Sequence, residues 1–320
     1  MTYQVIIPVY WGTYPLIESH IPYIKKHLGG KKIVLIGPAS MREKLPAMKG
    51  VEFLDGNTLL QGMSRETVSD IIEKVCRENG VPFADRAGWY FQQFIKMSYA
   101  FHCEEEYYVS WDMDTVPLRD IPFFSEKDGK PQFFERDEDH EEYFATLDTL
   151  CPGKIKKCRQ VKSFVNQFMI FKTDVMKELI GIMENSAVKG TVWWEKILYA
   201  VNPKYITQAG FSEFETYGNY TMQYYPQLYH VTKIDQCRTG ASFLTMRPEK
   251  AMLEWAGRSY LCVTLEEWSM DTKWQKRSRR LYKLLPMSVL VNLSEWIYTI
   301  KRKAKKAVSL IRLKGRGRSR

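Results

Sequence analysis

The chain is organised around the run Glu105-Glu106-Tyr107-Tyr108-Val109-Ser110-Trp111-Asp112-Met113-Asp114-Thr115. Its aromatic and β-branched residues predict a buried strand, which Pro117 ends. The two aspartates then follow the carboxyl end of a strand, where open α/β sheets bind ligands. On an extended chain Asp112 and Asp114 point to the same side, an arrangement that suits Mn²⁺ or Mg²⁺ held against a diphosphate. Taken alone, the two acids also fit a solvated turn.

Apolar runs alternate with helical patterns on both sides of this strand. The runs that predict strands span residues 5–10, 32–38, 51–56, 131–135 and 163–171, and the helical patterns end near His27 or span residues 64–78, 88–102 and 173–184. Ser64 is the predicted N-cap of the second helix, with Thr67 at the capping-box position. Such alternation predicts an α/β protein with a mainly parallel sheet flanked by helices.

The net charge of +10 is concentrated at the end of the chain. Residues 273–320 hold 16 basic residues and one acidic residue, giving +15, so residues 1–272 hold 31 basic and 36 acidic residues, giving −5. We therefore expect a globular body over 1–272 and a basic tail over 273–320. The six cysteines form no Cys-x-x-Cys pair, which argues against a zinc site and suits a reducing compartment.

The helix predicted over residues 88–102 has one apolar face and one compact polar face. At 100° per residue, Gln92, Gln93 and Lys96 fall on the same side. We expect this side to line a cleft, with Lys96 offsetting phosphate charge and a glutamine contacting base or sugar; an ordinary polar face is the alternative. Asn166 and Gln167 interrupt a later apolar run, where they either contact a sugar or bind neighbouring backbone.

Three motifs together resemble those of nucleotide-sugar glycosyltransferases of the GT-A fold, in a poorly characterised bacterial branch. They are the Asp-Met-Asp segment, Gly88-Trp89-Tyr90-Phe91-Gln92-Gln93 and Ser212-Glu213-Phe214-Glu215-Thr216-Tyr217-Gly218-Asn219-Tyr220. The resemblance covers about residues 1–265. It implies a GT-A-type, Rossmann-like sheet, a metal held by Asp112 and Asp114, and a nucleotide-diphosphate sugar as donor. Gly88, Gln92 and Gln93 become candidates for donor or substrate binding.

An inverting transferase needs a carboxylate that takes the proton from the attacking hydroxyl. Glu213 and Glu215 are the candidates for this base. Ser212 followed by Glu215 also forms a capping box, and Glu213 can simply favour the helix dipole. Some GT-A families use a late histidine as a further metal ligand, which makes His230 a candidate, although the Gly and Lys-Pro-Trp that accompany it in one such family are missing here.

The basic tail has the pattern of an amphipathic helix. Its apolar positions recur at steps of one, three or four residues: Val289, Leu293, Trp296, Ile297, Ile300, Ala304, Ala307, Val308 and Ile311. Lysines and arginines lie between them, and polar residues interrupt any 20-residue apolar span. We expect the tail to lie on an anionic membrane surface; a solvated or packed helix and RNA binding are the alternatives.

The family resemblance and the basic tail together imply a glycosyltransferase that is peripherally associated with the cytoplasmic face of the cell membrane and acts on a surface-polysaccharide or lipid-linked glycan acceptor. No nucleic-acid partner is expected. The absence of a Gln-x-x-Arg-Trp motif favours single sugar transfer over polymerisation. A nucleotidyltransferase is the alternative enzyme, but no Gly- and basic-rich phosphate loop follows the first strand. A non-catalytic membrane-associated scaffold is the alternative outside enzymes.

Overall fold

The computed structural model describes residues 2–316, with side chains described as far as Lys303. The chain forms two compact units. The first comprises residues 1–115 and 120–234, and the second comprises residues 116–119 and 235–320. The predicted domain boundary at residue 272 therefore falls inside the second unit.

The structure contains short strands and mostly longer helices. The strands are β1 Tyr3–Pro8, β2 Lys32–Gly37, β3 Val51–Asp55, β4 Tyr107–Trp111, β5 Thr115–Pro117, β6 Gln132–Phe134, β7 Phe168–Lys172, β8 His230–Thr232, β9 Gln236–Cys237 and β10 Cys262–Thr264. The helices are α1 Tyr14–His27, α2 Ala39–Arg42, α3 Arg65–Glu78, α4 Ala87–Ser98, α5 Glu141–Leu150, α6 Thr173–Glu184, α7 Trp193–Ala200, α8 Glu213–Tyr224, α9 Lys250–Gly257, α10 Thr272–Leu281 and α11 Met287–Arg316.

The first unit is built on a five-stranded sheet in the order β3-β2-β1-β4-β7. The first four strands in this order run parallel, and β7 runs antiparallel to β4. Every residue of β1 and β4 is buried, as expected for a sheet covered by helices on both faces. The predicted mixed, mainly parallel α/β fold is confirmed.

The chain reverses its direction of travel across the sheet between β1 and β4. From β1 it adds β2 and β3 on one side, and then it returns to place β4 on the other side of β1. Such a switch point leaves a crevice at the carboxyl ends of the two central strands, where open α/β sheets bind their ligands. Asp112, the residue after β4, lies at this edge.

Local sequence signals placed most elements correctly. Ser64 caps α3 and forms a reciprocal capping box with Thr67. The Thr67 hydroxyl accepts the hydrogen bond from the Ser64 amide that a Glu or Gln side chain usually accepts. The predicted strand over residues 163–171 begins only at Phe168, although the backbone carbonyl of Gln167 still accepts a cross-strand hydrogen bond from the Asp112 amide (2.9 Å). The helix predicted to His102 tightens after Ser98 into a 3₁₀ turn.

The second unit contains the small sheet β5-β10-β9 and helices α9, α10 and α11. Trp274 of α10 and Met287 and Leu290 of α11 are buried, and the indole of Trp255 donates to the carbonyl of Leu285 (2.7 Å). The beginning of the predicted tail is therefore part of the core of this unit.

Helix α11 carries a second apolar face that is exposed. Val289, Leu293, Trp296 and Ile300 are all exposed, and at 100° per residue they fall within an arc of about 60°. We call these four residues the exposed stripe. Ile297, predicted to share this face, is half-buried and lies off the stripe. The side chains of Ala304, Ala307, Val308 and Ile311 lie outside the described residues.

Lys301, Arg302 and Lys303 follow the exposed stripe directly and are exposed. On α10, Lys273, Lys276 and Arg280 are exposed as well. In the part of the chain that the structure describes, no helix is both long and apolar enough to cross a membrane.

Candidate active site

The turn after β4 is held tightly from within the first unit. The Thr115 amide donates to the carbonyl of Asp112 (3.0 Å), and the indole of Trp111 donates to the carbonyl of Thr115 (2.8 Å). Trp111 is buried and stacks on Phe168 of β7 with a centroid distance of 4.5 Å. The two aspartates are thus presented on a fixed turn at the edge of the crevice.

His20 of α1 supports the middle of the same turn. Its Nδ1 lies 2.7 Å from the carbonyl oxygen of Met113, and the ring is buried. Burial lowers the pKa of His20 to about 4, although the Met113 carbonyl acts in the opposite direction. The imidazole is therefore neutral at pH 7, and its Nδ1–H donates to the Met113 carbonyl.

Lys96 joins two carboxylates from distant parts of the chain. Its Nζ lies 2.9 Å from Oδ1 of Asp112 and 2.9 Å from Oε1 of Glu213. The same ammonium lies 4.5 Å from the ring centroid of Phe214. The last turn of α4, the end of β4 and the first turn of α8 therefore meet at one cation.

The bridged cluster is buried on one side and open on the other. The side chains of Lys96 and Glu213 are each 5% exposed, whereas Asp112 is 23% exposed. Burial disfavours the charge on Lys96, but Asp112 and Glu213 outweigh it and hold the pKa of the ammonium above its ordinary value. Burial raises the pKa of Glu213, against the opposing effect of Lys96. Asp112 is the member of the cluster that faces solvent.

The two glutamines of α4 bind members of the same cluster, and their predicted contact with a base or sugar stays a prediction. Gln92 Nε2 donates to Asp112 Oδ1 (3.1 Å), the oxygen that Lys96 also contacts. Gln93 Oε1 accepts a hydrogen bond from the backbone amide of Glu213 (3.1 Å). Gly88 lies in the exposed first turn of α4, where an added Cβ would meet only Arg65 Nε, at 3.8 Å.

Asn166 and Gln167 have different surroundings. Asn166 donates from Nδ2 to the carbonyl of Phe134 (3.3 Å) and accepts from the Gln167 amide (2.9 Å). These bonds satisfy the amide within the fold. The backbone carbonyl of Gln167 accepts a hydrogen bond from the Asp112 amide. The side-chain Oε1 of Gln167 is buried with no partner among the described residues. Of the two, Gln167 has the unused hydrogen-bonding capacity that a ligand contact needs.

Glu215 is enclosed by hydrogen bonds. Its Oε1 accepts from the hydroxyl of Ser163 and from the amide of Phe164 (3.2 Å), and its Oε2 accepts from Asn219 Nδ2 (2.9 Å). Burial raises its pKa, against the opposing effect of these bonds. Its backbone amide also donates to the Ser212 hydroxyl (3.2 Å), so the predicted N-cap is confirmed.

His230 begins β8, which pairs with β6 in the first unit. Its Nε2 lies 2.8 Å from Oδ2 of Asp128. Within residues 2–316, no group of three or more His, Cys, Asp or Glu side chains is arranged to hold a metal ion. The carboxylates of Asp112 and Asp114 still fit Mg²⁺ or Mn²⁺, because such ions often use one or two carboxylates and complete their shell with substrate phosphates and water.

Two features of the site escaped the sequence patterns. His20 was not predicted to reach the Asp-Met-Asp turn; the isolated polar residue on the apolar side of α1 was the available signal. Trp11, just past β1 at the same edge of the sheet, is 45% exposed, with Tyr14 and Lys44 against its ring. An exposed aromatic residue beside a switch point is a candidate platform for a base or sugar.

No protein-family model and no curated protein matches the chain. Among solved structures, mouse xyloside xylosyltransferase 1 in its apo form aligns over 84% of this chain and 99% of its own, with 9% identity and a TM-score of 0.41. The apo-form glycosyltransferase GlyE of Streptococcus pneumoniae TIGR4 aligns over 93% of this chain and 64% of its own, with 12% identity and a TM-score of 0.39. The chain thus spans less than two thirds of GlyE.

Proposed function

We propose that the protein is a metal-dependent glycosyltransferase that moves a sugar from a nucleotide-diphosphate donor to a glycan acceptor. The observation that carries the proposal is the position of Asp112 and Asp114. They lie on a rigid turn at the switch point of a mainly parallel sheet, with Asp112 turned toward solvent. This edge is where such sheets bind nucleotides, and paired carboxylates are what a cation shared with a diphosphate requires.

Asp112 and Asp114 would hold Mn²⁺ or Mg²⁺, and the ion would neutralise charge on the departing diphosphate. Gln92 and Gln93 orient Asp112 and Glu213, and the free Oε1 of Gln167 is available to a sugar or base. A role for Gly88 or Asn166 in donor binding, and for His230 as a further metal ligand, stays a prediction.

Two carboxylates are candidates for the catalytic base. Glu213 and Glu215 remain the predicted candidates, but Glu213 is bound to Lys96 and Glu215 accepts hydrogen bonds on both oxygens. A base must release its partner before it can take a proton from an acceptor hydroxyl. Glu213 is the better placed of the two, because the ion pair links it directly to Asp112.

The proposed acceptor is a surface-polysaccharide precursor or a lipid-linked glycan, and the proposed place of action is the cytoplasmic face of the cell membrane. Support comes from the second unit, which presents the exposed stripe next to Lys301, Arg302 and Lys303. Apolar residues beside clustered basic residues suit an interface with anionic lipid.

The test is a thermal-shift screen of the full-length protein against UDP, GDP, CMP and their sugars, with and without Mn²⁺. A nucleotide at 100 times its Kd stabilises the folded protein by ~2.7 kcal/mol, which raises Tm by a few degrees. We expect one nucleotide to do so only with Mn²⁺, and Asp114→Asn to remove the effect. Asp137→Asn, a change of the same kind at an exposed ion pair with Lys162, is the control.

The screen also separates the alternatives. A nucleotidyltransferase would prefer a nucleoside triphosphate, so ATP, GTP, CTP and UTP are included beside the sugar nucleotides. A non-catalytic scaffold predicts no metal-dependent shift from any nucleotide. If Asp114→Asn responds like the wild type, the proposed metal site is wrong.

A further inference from the structure

The predicted role of the Lys96 ammonium in offsetting phosphate charge stays a prediction, and this ammonium is one of the buried charges of the site. It bridges Asp112 and Glu213 at 2.9 Å each, and it is 5% exposed. Asp112 is the more exposed partner of this bridge, at 23%. A phosphate arriving from solvent therefore meets Asp112 more readily than it meets this ammonium.

Stability alone does not explain such a buried bridge. A buried ion pair is often no more stabilising than apolar residues of the same volume, because both charges lose their hydration. The bridge does change the electrostatics of the metal site. Asp112, Asp114 and Glu213 carry three negative charges, and Lys96 reduces their formal sum from −3 to −2. Without Lys96, the carboxylates would attract a divalent cation more strongly.

We infer that Lys96 is a built-in counter-cation that holds Asp112 and Glu213 in place and weakens the binding of a divalent metal that arrives without phosphate. The inference rests on the proposed function, because it assumes the metal site at Asp112 and Asp114. A nucleotide diphosphate brings its own negative charge and oxygen ligands, and these compensate for the repulsion between Lys96 and the metal. Metal and nucleotide therefore bind together more readily than the metal does alone.

The test measures Mn²⁺ binding to the full-length protein by the electron paramagnetic resonance signal of free Mn²⁺, with no nucleotide present. We expect Lys96→Gln to bind Mn²⁺ about tenfold more tightly than the wild type, or tighter still. Lys172→Gln is the matched control, since Lys172 also bridges two carboxylates, Glu106 and Asp174, at the opposite end of β4. The control should leave Mn²⁺ affinity unchanged.

A second background keeps the test valid if Lys96→Gln fails to fold, since this change leaves Glu213 buried and unpaired. Glu213→Gln retains the Lys96–Asp112 pair and should bind Mn²⁺ more weakly than the wild type. The double variant Lys96→Gln/Glu213→Gln removes both buried charges, and it should bind Mn²⁺ about tenfold more tightly than Glu213→Gln alone.

Unchanged or weaker Mn²⁺ binding after Lys96→Gln, in both backgrounds, overturns the inference. If the change instead weakens UDP or GDP binding in the presence of Mn²⁺ and leaves binding of Mn²⁺ alone unchanged, Lys96 contacts phosphate directly. Failure of the proposed function looks different, because then no nucleotide with Mn²⁺ stabilises the wild type in the thermal-shift screen.

Discussion

Replacing Trp296 of the exposed stripe should weaken membrane binding, whereas replacing the nearby Tyr298 should not. Trp296 is 62% exposed and lies on the stripe. Tyr298 is 68% exposed, but it points about 160° away from Trp296 around the helix. The two aromatic residues are therefore a matched pair that differs mainly in direction.

The size of the effect follows from the exposed area of the indole. A tryptophan side chain buries ~150–250 Å² when it is fully enclosed. Insertion of the exposed part of Trp296 would remove on the order of 120 Å² from water, which at ~25 cal/mol per Å² is worth about 3 kcal/mol. An alanine side chain still inserts one methyl group. Trp296→Ala should therefore weaken the free energy of membrane binding by about 2 kcal/mol and lower the partition coefficient roughly 30-fold.

The assay is co-sedimentation of the full-length protein with vesicles of phosphatidylglycerol and phosphatidylethanolamine. Point variants replace a deletion of residues 273–320, because that deletion would remove Trp274, Met287 and Leu290 from the core of the second unit. Binding should also fall as salt screens the basic residues, and vesicles of phosphatidylcholine alone should bind weakly. Equal losses for Trp296→Ala and Tyr298→Ala, or no binding to anionic vesicles, would show that the exposed stripe does not insert into lipid.

Two further predictions concern the first unit. The pKa of His20 is about 4 in the folded protein and 6.5 ordinarily, so its contribution to stability is complete above pH 6.5 and is lost as the pH falls toward 4. Between pH 7 and pH 5, the free energy of unfolding measured with urea should therefore fall by about 2 kcal/mol more for the wild type than for His20→Gln. Glu215→Gln should lower the free energy of unfolding by about 1–3 kcal/mol at pH 7, because it weakens the bonds from Ser163 and Asn219. An unchanged urea midpoint would contradict the structural role of Glu215.

Much of the fold could be predicted because its signals are local. The apolar run before Asp112 identified the central strand, and Ser64 identified the start of α3. Helical spacing also grouped Gln92, Gln93 and Lys96 on one face. Local patterns could not reveal what that face contacts, since Glu213 reaches it from far along the chain.

The ion pair between Lys96 and Glu213 is a part of the site that could not be predicted from sequence. From the sequence, the predicted structural interaction of Glu213 was with the helix dipole, and the predicted interaction of Lys96 was with a phosphate. In the structure each is the other's partner, and both are buried beside Asp112. Removing Lys96 leaves Glu213 buried without its cation, and removing Glu213 leaves Lys96 paired with Asp112 alone, so the two residues must be interpreted together. A substitution at Glu213 that abolished activity would therefore not identify the catalytic base, unless Mn²⁺ and nucleotide binding were shown to survive it.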